Sequence, residues 1–120
     1  MPDARFPVEM VGGVPVVVTP EEIEITNADG LRAALAEAGG LGPGGFVVDM
    51  SRTWFCDTAG IHALVGAHKR VGAGRGGVRL VITGAAVARI FAITGLDNVI
   101  PQFASLNDAL AATSGGTESS

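Results

Sequence analysis

The segment FVVDMSRTWFCDTAGIHALVGAHKRV, from Phe46 to Val71, determines how the middle of this chain folds. It opens with the apolar run FVVDM, whose composition predicts a buried strand. A helix is predicted from about Thr58 to Val71, because its apolar residues share one stripe: Ile61, Leu64, Val65 and Val71. Between strand and helix stands CDTAG, Cys56 to Gly60, in which the Asp57 carboxylate is expected to cap the helix.

The same alternation of strand and helix continues on both sides of this segment. VPVVV and VRLVI are predicted as strands, and FPVEM is predicted to form a hairpin with VPVVV across Gly12-Gly13. ADGLRAALAEA is predicted as a helix capped by Thr26 and ended by the glycines from Gly39 onward. AAVARIFAIT is predicted as a further helix, and NVIPQF is predicted as a short strand. LNDALAA is predicted as the last helix, capped by Ser105. This order predicts an α/β domain with a largely parallel sheet and an antiparallel edge.

The composition and charge of the chain argue against several classes of protein. A chain of 120 residues, 48% apolar and 17% charged, is long enough for one domain with its own core. The net charge of −4 argues against direct nucleic-acid binding. No signal peptide and no apolar run of ~20 residues is visible, and the single cysteine excludes an internal disulfide, so we expect a cytoplasmic protein without a membrane span.

Motifs for catalysis are absent from the sequence. GAGRGG follows a helix and precedes a strand, the reverse of a dinucleotide-binding loop. His62 and His68 are six residues apart, which does not suit a shared metal ion, so each is predicted as a surface or half-buried side chain. We therefore expect no enzyme activity, no catalytic residue, no metal site and no cofactor.

Thr58 is predicted at the first position of the helix, where the fold has no need of a threonine. As the first helical residue after Asp57, its hydroxyl is expected to lie beside free backbone N–H groups at the positive end of the helix dipole. A phosphate on that hydroxyl would add about 1.5 to 2 negative charges next to Asp57 and change what can dock there.

Two neighbouring features have open interpretations. Small residues share one side of the same helix, where they suit either a docking face for another protein or tight packing within the domain: Ala59, Ala63 and Gly66, followed by Arg70. Cys56 is interpreted mainly as a small buried apolar residue, with a redox role as the alternative.

The segment VVDMSRTWFCDTAGIHALVGAHKRV resembles the signature segment of STAS domains, the anti-sigma factor antagonists of bacteria. Asp57-Thr58-Ala59-Gly60 is similar to the family motif in which the residue after the Asp is phosphorylated. PEEIEITNADGLRAAL and AAVARIFAITGLDNVIPQFASLNDAL resemble further blocks of the family. Residues 1–112 are predicted as the STAS domain, and residues 113–120 as a disordered tail.

This resemblance implies a mixed, mostly parallel sheet of about five strands with about four helices mainly on one face. It implies an anti-sigma factor antagonist that, when unphosphorylated, binds an anti-sigma factor and kinase of the GHKL ATPase type and frees a sigma factor for transcription. Phosphorylation on Thr58 would end binding, and a PP2C-type phosphatase would restore it. Threonine replaces the usual serine at position 58, and Glu24 replaces an Asp that many members carry.

The residues expected at the partner surface surround Thr58: Glu24, Asn27, Ser51, Thr53, Trp54, Asp57, Ala59, Gly60, His62, Ala63 and Gly66. Trp54 is predicted either to anchor a partner or to cover the domain's own core. Ser51 suits a cap or turn, with a second phosphorylation site as the alternative. Two other functions stay open, a scaffold or ligand sensor that is not switched at Thr58, and a regulator switched by Cys56 oxidation.

Overall fold

The computed structural model describes residues 6–41, 44–71 and 77–118, with the backbone alone for 114–118. A five-stranded sheet has the order β1-β2-β4-β6-β7. Its strands are β1 (Val8–Val11), β2 (Val14–Val18), β4 (Phe46–Asp49), β6 (Val78–Val81) and β7 (Gln102–Phe103). β1 pairs antiparallel with β2, and every other neighbouring pair is parallel. The predicted mixed, mostly parallel sheet is confirmed.

The β1–β2 hairpin turns at Gly12 and Gly13, as predicted. Both glycines have positive φ, 60° and 84°. A two-residue turn of this kind requires positive φ at both positions, which glycine adopts without steric cost.

Four helices cover the sheet: α1 (Ala28–Leu41), α2 (Thr58–Val71), α3 (Ala85–Thr94) and α4 (Leu106–Glu118). The apolar residues of α1, α2 and α3 join one core with Val17, Val48 and Leu80 on the same side of the sheet. α4 packs on the opposite side, where Ala109 meets Val16 and Val47. Three helices on one face and one on the other agree with the expected arrangement.

A second, two-stranded parallel sheet lies outside the main one. It pairs β3 (Glu22–Ile23) with β5 (Phe55–Cys56), in the register Glu22 to Phe55 and Ile23 to Cys56. Paired residues point to the same side of a sheet. Ile23 and Cys56 are buried, whereas Glu22 and Phe55 are exposed. We call this element the ribbon, and the side that carries Glu22 and Phe55 its outer face.

Several predicted boundaries need correction. α1 begins at Ala28, the first residue of the predicted segment, but the residue before it is Asn27 rather than the predicted cap Thr26: the Asn27 carbonyl accepts the first helical N–H bonds, from Gly30 and Leu31. The helix also continues through Gly39 to Leu41, where α1 lies against α2: a Cβ on Gly39 would be 3.5 Å from a Val71 methyl.

The ends of α4 and of the last strand also differ from prediction. A 3₁₀ turn (Leu96–Asn98) precedes β7, which leaves only two residues of NVIPQF in a strand. α4 starts after Ser105, whose hydroxyl accepts the N–H of Asp108 at 3.1 Å, as expected of a cap. It then continues to Glu118, so the predicted tail of residues 113–120 begins inside a helix. Residues 119–120, and most of the predicted connector GAGRGG, lie outside the described residues, and the domain end at 112 stays a prediction.

Candidate functional site at the start of helix α2

The Asp57 carboxylate holds the start of α2 in place. Its Oδ1 accepts the N–H of Ala59 at 2.9 Å and that of Gly60 at 3.3 Å, which confirms the predicted cap. Its Oδ2 accepts the N–H of Ile25 at 3.2 Å, and the Asp57 N–H donates to the Ile23 carbonyl at 3.0 Å. One side chain therefore fixes the helix start to the chain that follows β3.

Thr58 is the first residue of α2 and is exposed to solvent. Within the described residues its hydroxyl makes no hydrogen bond, so that it projects freely at the helix start. The unpaired N–H groups of a first turn and the positive end of the helix dipole favour a negative group at such a position. The hydroxyl of Thr58 is therefore open to solvent at the positive end of the helix.

Gly60 allows the ribbon to lie directly against α2. A Cβ at this position would lie 2.7 Å from the Cys56 sulfur and 2.7 Å from the Ile23 Cγ2 atom. Real Cβ atoms do not approach neighbours that closely. Gly60 is itself buried, so its role is to admit the ribbon rather than to contact a partner.

Apolar side chains are exposed on the ribbon side of Thr58. Trp54 is 54% exposed, Phe55 is partly exposed, and their rings are tilted with centroids 6.1 Å apart. Ile25, whose N–H is held by Asp57, is 76% exposed. Of the two interpretations of Trp54, the exposed fraction argues against a cover over the core.

Two predicted partner residues, Thr53 and Asn27, are buried. The Thr53 hydroxyl is 2.6 Å from the Thr19 hydroxyl and donates to the Pro20 carbonyl at 2.5 Å. Asn27 accepts the Glu24 N–H at 2.8 Å and donates to the Glu22 carbonyl at 2.9 Å. The expectation that these side chains face a partner is therefore corrected. Both are buried, and their polar atoms form hydrogen bonds within the loops beside Thr58.

Glu24 and Ser51 remain accessible. The Glu24 carboxylate accepts the Thr26 hydroxyl at 3.1 Å and lines an open cleft of about 200 Å³ together with Pro20, Glu21, Glu22 and Asn27. Ser51 forms part of a turn, in which its N–H donates to Asp49 Oδ1 at 3.0 Å and its carbonyl accepts the Thr83 hydroxyl at 2.9 Å. That geometry agrees with a turn role for Ser51.

The small-residue side of α2 packs mostly within the domain. Ala63 is buried, Ala59 and Gly66 are half-buried, and α1 lies alongside this helix. The packing interpretation is therefore favoured over a docking face for Ala63. His62 is exposed one turn after Thr58, on the same side of the helix.

Cys56 is buried, with 1% of its surface exposed. Burial raises the pKa of the Cys56 thiol to about 12, and the neighbouring Asp57 carboxylate adds to the rise. The thiolate is the form that reacts with oxidants and disulfides, and it is scarce at neutral pH when the pKa is this high. Both observations argue against a redox switch at Cys56.

The two histidines differ in their surroundings. His62 is exposed as predicted, whereas His68 is buried, because it lies on the side of α2 that meets the core. Burial lowers the pKa of His68, and the Arg79 charge lowers it further. Among the described residues, no group of three or more His, Cys, Asp or Glu side chains is placed to hold a metal ion. Across the same residues, no helix has the length and apolar character needed to cross a membrane.

Sequence reasoning did not select three residues that the fold brings to this site: Glu21, Ile25 and Phe55. The Glu21 carbonyl accepts the N–H groups of Trp54 and Phe55, at 2.9 and 3.3 Å. A two-residue strand has no periodicity to reveal it. The one available signal was the apolar pair Trp54-Phe55 in an otherwise polar loop.

Comparison with known proteins identifies the domain type. The model of the STAS domain family matches residues 5–109. No curated protein sequence matches the chain.

Solved structures with the same fold include three from bacteria. An anti-sigma factor antagonist from Mycobacterium paratuberculosis is 31% identical, with a TM-score of 0.82 over 90% of this chain and 92% of that one. An anti-sigma-factor antagonist (STAS) domain protein from Planctomyces limnophilus is 21% identical, with a TM-score of 0.79 over 90% and 96%. The phosphorylated form of the Bacillus cell fate determinant SpoIIAA is 21% identical, with a TM-score of 0.66 over 89% and 97%.

Proposed function

This chain belongs to the STAS domain family, and on that premise we propose that it is an anti-sigma factor antagonist switched by phosphorylation of Thr58. Its unphosphorylated form binds an anti-sigma factor that is also a kinase of the GHKL ATPase type, and so releases a sigma factor. Phosphorylation of Thr58 ends this binding, and a PP2C-type phosphatase reverses it. The protein acts in the cytoplasm, as a substrate and binding partner without catalysis of its own.

The observation that carries this proposal is the exposed Thr58 hydroxyl on a helix start that Asp57 holds rigidly. A kinase needs an accessible hydroxyl, and Thr58 supplies one. Both oxygens of Asp57 accept backbone N–H groups and hold the helix start, so we assign the phosphate to the neighbouring hydroxyl of Thr58, which makes no such bonds.

Two likenesses add support. The Mycobacterium paratuberculosis protein, 31% identical to this chain, is an anti-sigma factor antagonist. SpoIIAA of the same fold has been solved in an unphosphorylated and a phosphorylated form. We extend both properties to this chain as part of the proposal.

The physical effect of the phosphate is local. It adds about 1.5 to 2 negative charges next to the Asp57 carboxylate, in the segment that also carries the exposed Trp54 and Phe55 rings. A partner that covers these rings must also remove water from the phosphate, and burying an unpaired charge is costly. Binding is therefore lost without any change in the fold.

The first test is phosphorylation of the purified protein by ATP and each GHKL-type kinase of its source organism, read by intact-mass and peptide mass spectrometry. We expect one phosphate, on Thr58, that is absent in Thr58→Ala and removed by a PP2C-type phosphatase. Ser51→Ala is the matched control, because Ser51 is a second exposed hydroxyl in the preceding loop, and it should leave the modification unchanged.

Binding of the same kinase completes the test. Thr58→Ala should bind as the unphosphorylated wild type does, whereas Thr58→Glu should bind more weakly. Absence of any phosphate on Thr58, together with equal binding by Thr58→Glu, would reject the switch and favour a STAS scaffold or sensor.

A further inference from the structure

Helix α3 is apolar on the side that faces solvent. Of its residues, Val87 and Phe91 are buried and Ile90 is half-buried. The residues exposed to solvent are four alanines, Arg89, Ile93 and Thr94. A helix on the surface of a protein normally carries polar and charged residues on that side, and a helix that is apolar all round is normally buried.

The other two helices on this face of the sheet do not share the feature. Their exposed sides carry charged residues, which are Asp29, Arg32 and Glu37 on α1 and Lys69 and Arg70 on α2. The composition of the exposed side is therefore particular to α3. Clustered apolar groups on a surface indicate that another molecule covers it.

The largest exposed side chain of this surface is Ile93, which is 76% exposed. The 3₁₀ turn (Leu96–Asn98) lies against the same helix, and Val99 directly after it is 51% exposed. We call the exposed residues of 85–99 the α3 surface. The alanines beside Ile93 allow a second helix to approach closely, because the distance between packed helices depends on the side chains at the contact.

The α3 surface is separate from the start of α2. The N-terminal end of α3 lies near the loop before the ribbon, where a Cβ on Gly84 would be 3.3 Å from the Thr53 carbonyl oxygen. Ile93 is nine residues further along, which corresponds to about 13 Å of helix. An interaction at Ile93 therefore concerns a part of the molecule other than the surroundings of Thr58.

The charges of the α3 surface make it complementary to itself. Arg89 precedes Ile93 by four residues, Asp97 follows it by four, and both side chains are exposed. When two such surfaces meet about a two-fold axis at Ile93, Arg89 of each copy comes beside Asp97 of the other. Opposite charges then meet at both ends of an apolar centre, which is the arrangement of a symmetric interface between identical chains.

We propose that a second copy of this chain docks on the α3 surface, as an antiparallel pair of α3 helices with Ile93 at the two-fold axis and Arg89 beside Asp97 of the other copy. The contact is built from a single helix about 15 Å long and one turn, so it is smaller than a standard interface and the dimer is weak. This inference is independent of Thr58 and of any kinase, and so it goes beyond the proposed function.

The test is sedimentation velocity of the purified, unphosphorylated protein from about 10 μM to about 1 mM, the range in which a weak dimer forms. We expect the mass to rise from that of the monomer towards that of the dimer. Ile93→Glu should weaken self-association at least about 30-fold, because it places two carboxylates at the axis. Ile25→Glu is the matched control, since Ile25 is also 76% exposed but lies after β3, and it should leave self-association unchanged.

Charge exchange tests how the two copies are arranged. Arg89→Glu and Asp97→Lys each bring like charges together at both ends, and each should weaken the dimer about 10-fold at low salt. The double variant Arg89→Glu, Asp97→Lys restores opposite charges and should recover most of the wild-type affinity. Lys69→Glu changes the net charge as Arg89→Glu does, at an exposed position of α2, and should have little effect.

Each outcome decides the proposal. A monomer at every concentration, equal weakening by Ile93→Glu and Ile25→Glu, or no recovery in the double variant would overturn it. None of these measurements involves phosphorylation, so a failure of the α3 dimer and a failure of the switch at Thr58 are distinguished.

Discussion

The two ends of helix α2 are built differently. At its start, Asp57 makes three hydrogen bonds through its carboxylate, and Gly60 is in contact with the ribbon. Near its end, a Cβ on Gly66 would meet only the end of the Arg70 side chain, at 3.7 Å, and the Nδ1 atom of the buried His68 has no hydrogen-bond partner in the described part of the chain. The same helix is thus capped and closely packed at its start, and less closely packed around Gly66.

The Asp57 cap and the Gly60 contact are the features that distinguish the start of α2. Ordinary helix packing does not need a glycine fitted between two side chains, nor a cap that reaches a second segment. Both features stand within two residues of Thr58, whose hydroxyl makes no hydrogen bond within the described residues. The start of α2 therefore carries the exposed Thr58 hydroxyl on a capped and closely packed backbone.

Replacing each glycine of α2 by alanine gives the sharpest test of this difference. Gly60→Ala should lower the free energy of unfolding by about 2–3 kcal/mol, because its Cβ overlaps the Cys56 sulfur and Ile23. Gly66→Ala has open space and should raise it by up to about 1 kcal/mol through helix propensity. Urea unfolding of both variants measures the difference. Equal effects would show that the start of α2 is no more constrained than the rest.

The cap gives the next largest effect. Asp57→Ala removes the acceptor for Ala59, Gly60 and Ile25 and should cost about 1–2 kcal/mol of unfolding free energy. Asp57→Asn retains an oxygen that can accept from Ala59, so its loss should be smaller. Thermal and urea unfolding provide the measurement. No loss of stability in Asp57→Ala would mean that the hydrogen bonds to Asp57 contribute little.

The third prediction concerns His68, whose burial in α2 should make the free energy of unfolding depend on pH. Because the pKa of His68 is lowered from its ordinary value of 6.5 in the folded protein, the unfolded chain takes up this proton at higher pH than the folded one. Stability from neutral His68 is therefore complete above the unfolded pKa and decreases as pH falls below it.

Urea unfolding at about pH 7.5 and about pH 5.5 tests this smallest effect. His68→Leu should lose part of the decrease in stability, whereas His62→Gln, at the exposed histidine of the same helix, should retain it. The prediction fails if both variants show the same pH dependence as the wild type.

Local sequence signals predicted α2 to the residue, because its cap and its apolar stripe are both contained in one continuous segment. The residue that precedes α1 was predicted wrongly, because the Asn27 side chain is directed to Glu22 and Glu24 rather than to its own helix. The turn that these local contacts form, and not the cap preference of Thr26, decides where that helix begins.

The candidate site was predicted only in part, because some of its features depend on local sequence and others on distant contacts. Asp57 and Thr58 were predicted because the cap and the apolar stripe that mark the start of α2 lie in one short segment of sequence. The burial of Thr53 depends on Thr19 and Pro20, more than thirty residues earlier, and no local pattern contains that information. The ribbon, two residues per strand, likewise depends on a distant pairing.

The pairing of the main sheet also has a consequence for how the chain folds. Among the described residues, only the β1–β2 pair is joined by a short turn, whereas Val16 pairs with Val47, Phe46 with Val78 and Leu80 with Gln102. Each of those parallel contacts must close a long loop before it gains any stability, which slows folding. The hairpin at Gly12-Gly13 is the one part of the sheet that can form early and on its own segment, and the remaining strands join through slower, long-range steps.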